Sequence, residues 1–500
     1  MSSHSCRSLY LADQVREIDR RVIAASAEPG DDAAGFALMR RAGQAAYAEL
    51  RRRWPEARRL SVLCGSGNNA GDGYVIAALA ACEGLSVQLL AVREPEALKG
   101  EAARAHEMAV LAGLRAEPWQ ADTSLDGEVV VDALLGTGLG GEVREPYAGV
   151  IEAINASGRA VMAVDIPSGL AADSGAVLGC AVRADLTVTF IADKLGLHTG
   201  QAADQVGELA FRDLGVPAEA HENLTPAAEY LGAGIVGEAL PPRARGSHKG
   251  DFGHVLVVGG APGFGGAALL ASQAAARLGA GKVSLATAPE HVSASLTRTP
   301  EVMARGVRGV GDATALLDGA DVIVVGPGLG QGAWGQGLLQ AALEAGKPLV
   351  VDADALNLLV TCWPGTRRDD WLLTPHPGEA GRLLGCSGRE IQIDRLAAVK
   401  RLQAERGGTV ILKGAGSLVA GPEGVGLCPF GNPGMASGGM GDVLSGLLGA
   451  LVAQGLTLEV AGRVGVVLHA RAADRAVAER GERGLLAGDL ASYARILANG

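Results

Sequence analysis

Aromatic residues make up only 3% of this 500-residue chain, which removes the stacking surface on which single-stranded nucleic acid is usually held. Positive charge is also short. The 44 lysines and arginines face 55 aspartates and glutamates, a formal charge of −11, so no phosphate-backbone partner is expected. There is no CxxC pair. The seven cysteines (6, 64, 82, 180, 362, 386, 428) are scattered and odd in number, which reads as reduced thiols in a reducing compartment without a zinc site. No apolar run approaches the ~20 residues that span a bilayer, and the polar N-terminus lacks the apolar core of a leader peptide. A cytoplasmic protein without a membrane partner is expected. A Walker A loop is missing too. Gly279-Ala280-Gly281-Lys282 imitates its end, but Ala276 stands where the first glycine belongs and Val283 replaces the hydroxyl residue. Lys282 reads instead as the start of a strand.

Glycine is abundant, at 74 residues without a collagen period, and hydrophobic residues reach 48%. That is the composition of a loop-rich α/β protein. Five hundred residues exceed one ordinary core. The pattern loosens from about Asp213 to Arg245, with prolines at 217, 226, 241 and 242, and a boundary there divides the chain into domains 1–225 and 226–500, with some strand in the boundary region left open.

In the first half, the apolar spacing predicts a helix over Asp13–Ile23 and a second through Leu38 towards Leu50. Strand Leu60–Cys64 then breaks into the glycine loop Gly65–Gly73, followed by a helix from Tyr74 to Cys82. Strand, glycine loop and helix open a nucleotide-binding βαβ unit. Gly65, Gly67 and Ala70 fit GxGxx(G/A), a weak match in so glycine-rich a chain. Asn68, Asn69 and Asp72 carry more polar chemistry than a pyrophosphate turn needs. Glu94, beyond the next strand, has the spacing of a ribose-binding acid, with a plain surface acid as the alternative. Strands Val129–Asp132 and Ala160–Asp165 each deliver an aspartate at their carboxyl edge, followed by Gly136–Glu142 and by Ile166-Pro167-Ser168-Gly169. One such aspartate would be a cap or turn. Three polar loops at one sheet edge favour a ligand site.

The second half centres on Gly431-Asn432-Pro433-Gly434-Met435-Ala436-Ser437-Gly438-Gly439-Met440-Gly441-Asp442, which leads into Val443, Leu444, Leu447, Leu448 and Leu451 at helical spacing. A glycine loop opening a helix offers N–H groups and a positive dipole end to an anion. Asp442 is either an N-cap or the acid of a phosphate-handling site. Upstream, Val410–Leu412 is a buried strand running into Lys413-Gly414-Ala415-Gly416-Ser417. There a lysine can meet a phosphate as a point charge, or simply end a hairpin strand. Further loops follow strands at Gly259–Gly266, Gly326–Gly330, Asp352–Asp354 and Thr374–Glu379.

The segment Asn432–Ser437 with Gly439–Asp442 resembles the signature of the nucleotide-dependent NAD(P)H-hydrate dehydratases, relatives of the ribokinase superfamily. The asparagine-rich loop, the Gly136-Thr137-Gly138 turn, the Asp165-to-Gly169 turn and the helix at Leu38–Gly43 resemble NAD(P)H-hydrate epimerase. Together they cover nearly the whole chain, so it resembles the bifunctional repair enzymes that join the two. The implied fold is two three-layer αβα domains, the first Rossmann-like and the second ribokinase-like.

The resemblance implies that Asn68, Asn69, Ala70, Gly71, Asp72, Gly136, Thr137, Gly138, Leu139, Gly140, Gly141, Glu142, Tyr147 and Asp165 contact the hydrated dinucleotide. Asn69, Asp132 and Ser168 would hold a potassium ion. Ala70 departs from the glycine often found there. In the second half Ala267, Gly328, His376 and Asp442 would contact hydrated NADH or NADPH, while Lys413 to Ser417 and Gly441 would hold ADP or ATP, which brings magnesium. The implied catalysts are Asp165 for epimerisation and Asp442 for dehydration. A homo-oligomer is expected, and Lys194 has no evident role. The alternative is a ribokinase-type small-molecule kinase fused to a non-catalytic dinucleotide-binding module.

Overall fold

The computed structural model describes residues 6–26 and 33–500; the polar residues 1–5, read above for a leader, lie outside them. The chain divides into two compact units, Ser8–Ala227 and Ala228–Gly500, the latter with Cys6 and Arg7. Its strands in chain order are β1 (Cys6–Leu9), β2 (Arg59–Cys64), β3 (Ser86–Ala91), β4 (Glu117–Pro118), β5 (Val129–Ala133), β6 (Ala160–Val164), β7 (Leu186–Phe190) and β8 (Glu208–Arg212). Then come β9 (Ala228–Leu231), β10 (His254–Val258), β11 (Lys282–Thr287), β12 (Met303–Gly306), β13 (Val322–Val325), β14 (Leu349–Val351), β15 (Trp371–Leu373), β16 (Thr409–Leu412), β17 (Ser417–Gly421) and β18 (Gly424–Cys428).

The first unit holds a parallel sheet in the order β4-β3-β2-β5-β6-β7-β8. Every residue of Val129–Ala133 and Leu186–Phe190 is buried, as helices covering both sides require. The order reverses between β2 and β5, so the loops after these two strands diverge around a crevice.

The second unit holds a sheet in the order β1-β9-β18-β17-β16-β15-β14-β13-β10-β11-β12. It is parallel from β16 to β12, and the hairpin β16-β17-β18 is antiparallel. Its reversal falls between β10 and β13. The strand left open at the boundary is β9, which pairs parallel with β18, and Lys282 does begin a strand.

Helix Met440–Ala453 is the spine of this unit. Leu447, Leu448 and Leu451 are fully buried, each worth about 1.5–3 kcal/mol of transfer free energy. Gly446 lets this helix touch helix Gly265–Arg277, because a Cβ there would lie 2.0 Å from the Ala271 carbonyl oxygen.

The glycine loop of the first unit is shorter than its composition suggests. The helix begins at Asn68, with Gly67 as an extended N-cap, and Gly71 N–H already bonds Gly67 O. Polar residues are tolerated there because first-turn N–H groups have no helical partner. Asn68 and Asp72 therefore share a helix face one turn apart.

Candidate active sites

In the first unit the crevice between β2 and β5 is a cavity of about 540 Å³, lined by Asn68, Asn69, Asp72, Asp165, Lys194 and the turn Gly136–Gly140, with Asp19 from helix Ala12–Ser26. Asp165 follows β6 with φ +64°, a left-handed conformation that aspartate tolerates better than most residues. Its N–H donates to Val188 O at 2.7 Å. The Lys194 ammonium, fully buried, donates to Asp165 Oδ1 at 2.7 Å and reaches Thr189 Oγ1 at 2.8 Å. Thr189 also donates to Oδ1, at 3.2 Å. Nothing among the described residues hydrogen-bonds Oδ2.

Two more carboxyls crowd this pair. Burial, then the negative charges of Asp165 and Asp19, push Asp72 well above the usual carboxylate range, while Lys194 pulls it down. Burial and Asp165 raise Asp19 to about 6. A carboxyl with a raised pKa beside one held by an ammonium places two unlike acid–base groups in one pocket.

Beneath the cavity floor, the fully buried Asp132 accepts the Ser168 hydroxyl at 2.6 Å, the Ser168 N–H at 2.8 Å and the Leu134 N–H at 3.2 Å. Burial still raises its carboxyl to about 6. Ser168 Oγ is 3.2 Å from the Leu135 carbonyl oxygen, to which Asn69 Nδ2 donates at 3.1 Å. Asn69 Oδ1 is buried with no hydrogen-bond partner among the described residues. Asp132, Ser168 Oγ and the Leu135 carbonyl thus stand together, with the Asn69 side chain bonded to the last. The Leu135 carbonyl escaped sequence reading because a backbone oxygen leaves no residue signature.

Other residues singled out above are dispersed. Ala70 and Gly71 are buried inside the helix, where a Cβ on Gly71 would meet Met39 Sδ at 2.4 Å. The Thr137 carbonyl accepts from Arg16 at 3.3 Å. Gly141 and Glu142 are exposed and do not line the cavity. The Tyr147 hydroxyl is 3.4 Å from Ser66 Oγ at the rim.

In the second unit, loops at the carboxyl ends of β10, β13, β14, β15 and β16 meet the start of helix Met440–Ala453. Gly439, with φ +92°, is the N-cap, so Asp442 is the third helical residue and not the cap. Its carboxylate has no hydrogen-bond partner among the described residues. Burial first, then the charge of Asp352, raises it to about 7 against the pull of Lys413. Asp352 is fully buried; its Oδ1 accepts Lys413 Nζ at 2.8 Å and its Oδ2 the Ser445 hydroxyl at 2.8 Å. Burial would raise Asp352, but Lys413 outweighs it and holds the carboxyl below the usual range. The ammonium is 3.9 Å from Glu379 as well; burial lowers its pKa, but these two acids outweigh burial and leave it raised. A Cβ on Gly441 would stand 3.2 Å from Lys413 Nζ and 3.4 Å from Asp352 Oδ2, so this glycine backbone lies close beside the pair.

The turn 413–416 wraps the buried Arg395, whose guanidinium donates to the carbonyls of Leu412, Lys413 and Gly416 at 3.2–3.4 Å. Ser417 begins β17 and bonds Gly414 O at 3.0 Å; Ala415 is exposed. His376 caps helix Pro377–Leu384. Its Nδ1 accepts the N–H groups of Gly378 and Glu379, while Glu379 accepts the His376 N–H at 2.8 Å. Burial, then Lys413, lowers its pKa. Gly328 (φ +59°) lies against Phe264 O, with Ala267 nearby in the same junction. Asn432 Nδ2 donates to Asp474 at 2.8 Å, pinning the glycine-rich loop to helix Leu458–Arg480. No group of three or more His, Cys, Asp and Glu among the described residues could hold a metal, and no helix among them is long and apolar enough to cross a membrane. All seven cysteines are free.

The family model for NAD(P)H-hydrate dehydratase matches residues 255–495, and that for the YjeF-related protein N-terminus matches residues 35–196. The chain is 48% identical to the bifunctional NAD(P)H-hydrate repair enzyme Nnr of Coxiella burnetii over 98% of its own length and 99% of that protein's. The Escherichia coli K12 enzyme of the same name is 45% identical over 93% and 90%. Among solved structures, a ribokinase-like superfamily protein from Enterococcus faecalis V583 aligns with a TM-score of 0.50 and 29% identity, covering 56% of this chain and 98% of that one.

Proposed function

The chain belongs to the bifunctional NAD(P)H-hydrate repair enzymes, and from that premise we propose how its two sites divide the work. The first unit interconverts the R and S epimers of hydrated NADH or NADPH. The second returns the S epimer to NAD(P)H at the expense of ADP or ATP. Hydroxide is a poor leaving group and phosphate a good one, which is why a nucleotide is needed.

In the second site Asp442 accepts the proton of the C6 hydroxyl. The freed oxygen attacks the terminal phosphoryl group of the nucleotide, forming a C6–O–P bond as the bond to the bridging oxygen breaks. Loss of phosphate from C6, with a proton from the adjacent ring carbon, restores the ring double bond. The helix N-terminus and the glycine-loop N–H groups stabilise the developing phosphoryl charge. Lys413, already poised on Asp352, and the turn to Ser417 face the nucleotide. Its phosphates carry magnesium, which commonly uses waters and one or two carboxylates. The observation that carries this reading is the Asp442 carboxylate, free of any cap bond at the mouth of a glycine-opened helix and beside an ammonium.

In the first site Asp165 Oδ2, left open while Lys194 and Thr189 hold Oδ1, exchanges a proton with the hydrate, and Asp72, whose pKa burial raises, is its counterpart. Asn69 Oδ1, Ser168 Oγ, Asp132 and the Leu135 carbonyl suit a hard cation. Potassium held there would supply the charge that balances buried Asp132 and ties the three loops together. The orphaned Asn69 oxygen is the reason to expect it.

The test is to mix the full chain with both epimers of NADH hydrate, ADP or ATP, and magnesium. Absorbance of the restored dihydronicotinamide should recover completely. A phosphorylated hydrate that accumulates without eliminating would sink the dehydratase reading and favour a kinase.

A further inference from the structure

A cation that the proposed chemistry leaves unused stands beside Tyr147, whose hydroxyl reaches the cavity-lining Ser66. Arg93 lies two residues beyond β3, the strand beside β2. Val92 N–H bonds Cys64 O at 3.0 Å, fixing this backbone against the start of the glycine turn. The Arg93 guanidinium lies 5.8 Å from the centre of the Tyr147 ring. The Tyr147 hydroxyl in turn approaches Ser66, which lines the cavity immediately before the N-cap Gly67. Arg93 is exposed, and no carboxylate among the described residues pairs with it. Arg16, which lines the cavity, and Arg20 of the same helix Ala12–Ser26 are instead ion-paired with Asp13 and Glu17 of their own helix. The Tyr147 ring at that distance attracts the guanidinium without neutralising it.

In doubly wound nucleotide folds the end of the second strand is where the adenosine ribose is read. An acid there accepts the 2′-hydroxyl, and an arginine accepts a 2′-phosphate. Glu94, the acid with that spacing, is exposed and precedes the short turn Pro95–Ala97; neither it nor Arg93 lines the cavity wall, but Arg93 stands beside Tyr147, whose hydroxyl reaches the lining residue Ser66. Resting on the epimerase reading above, we infer that Arg93 is a specificity-determining residue that binds the 2′-phosphate of hydrated NADPH, so that the epimerase site prefers it to hydrated NADH.

The experiment compares kcat/KM for epimerisation of the two hydrates in the wild type, Arg93→Ala and Arg93→Lys. Arg93→Ala should lower the value for NADPH hydrate by about 10- to 100-fold, the usual weight of a hydrogen bond between charged groups, mostly through KM. NADH hydrate should stay within about twofold, and lysine should recover part of the loss as a point charge. Adenosine 2′,5′-bisphosphate should bind the wild type more tightly than AMP by calorimetry, and Arg93→Ala should erase the difference. Equal loss on both hydrates, or no loss on either, overturns the assignment. A wild type that epimerises neither hydrate would sink the epimerase reading alone, since calorimetry with the bisphosphate still decides the role of Arg93.

Discussion

Replacing Asp442 by Asn should produce an enzyme that is nearly inactive as a dehydratase yet more stable than its parent. The variant keeps the size of the side chain and removes only its ability to accept a proton. A general base of this kind contributes about 10²- to 10⁴-fold, so the dehydration barrier should rise by about 2.7–5.4 kcal/mol. Nucleotide binding should survive. Stability moves the other way because the folded chain holds the Asp442 carboxyl at about 7 against an ordinary 3.8. A carboxyl with a raised folded pKa binds its proton more tightly folded than unfolded. Folding is therefore penalised as pH rises from about 4, and the full penalty is present above about 7. About three units at 1.36 kcal/mol each set an upper limit of about 4 kcal/mol. Water at the partly exposed side chain screens this to about 1–3 kcal/mol. Asparagine escapes the penalty, so the variant should be the more stable protein at about pH 8 and match the wild type at about pH 4. Denaturant unfolding of the two proteins at both pH values, alongside single-turnover dehydration, measures each half. Undiminished turnover would refute the base, and a destabilised variant at the higher pH would refute the electrostatic account.

Lys194→Met leaves Asp165 without its buried cation; epimerisation should collapse and stability fall by about 3–5 kcal/mol, as an epimer-exchange assay and denaturant unfolding would read. Potassium, and not sodium, should raise the thermal unfolding temperature of the first unit, by an amount equivalent to about 2.7 kcal/mol at a hundredfold excess over Kd; Asn69→Ala and Ser168→Ala should each lose the response in differential scanning calorimetry. Gly446→Ala would force a Cβ to 2.0 Å from the Ala271 carbonyl oxygen. It should destabilise the second unit by about 1–3 kcal/mol and leave epimerisation untouched, which calorimetry and an epimer-exchange assay read together.

Much of the architecture is legible in the chain because it is written in short-range patterns. Apolar runs such as Val129–Val131 and Val322–Val325 announce strands buried on both faces, and glycine turns directly after them announce ligand loops. The aspartates at 132, 165, 352 and 442 were all visible as chemistry-bearing positions. Local reading erred where a backbone choice was at stake. The polar run Asn68–Asp72 forms a helix because Gly67 supplies the extended cap, and Asp442 sits inside its helix because Gly439 can adopt the left-handed conformation.

By itself, then, the sequence determined the two-unit α/β plan, the family and the loops that carry acids. Only the tertiary structure decided which of those acids act together. Lys194 meets Asp165 across 29 residues, Ser168 meets Asp132 across 36, Lys413 meets Asp352 across 61 and Ser445 meets Asp352 across 93. Neither strand period nor glycine spacing encodes such pairings. They arise from the order in which parallel strands take their places in a sheet, and that order sets which carboxyls are buried together and therefore which of them hold a proton.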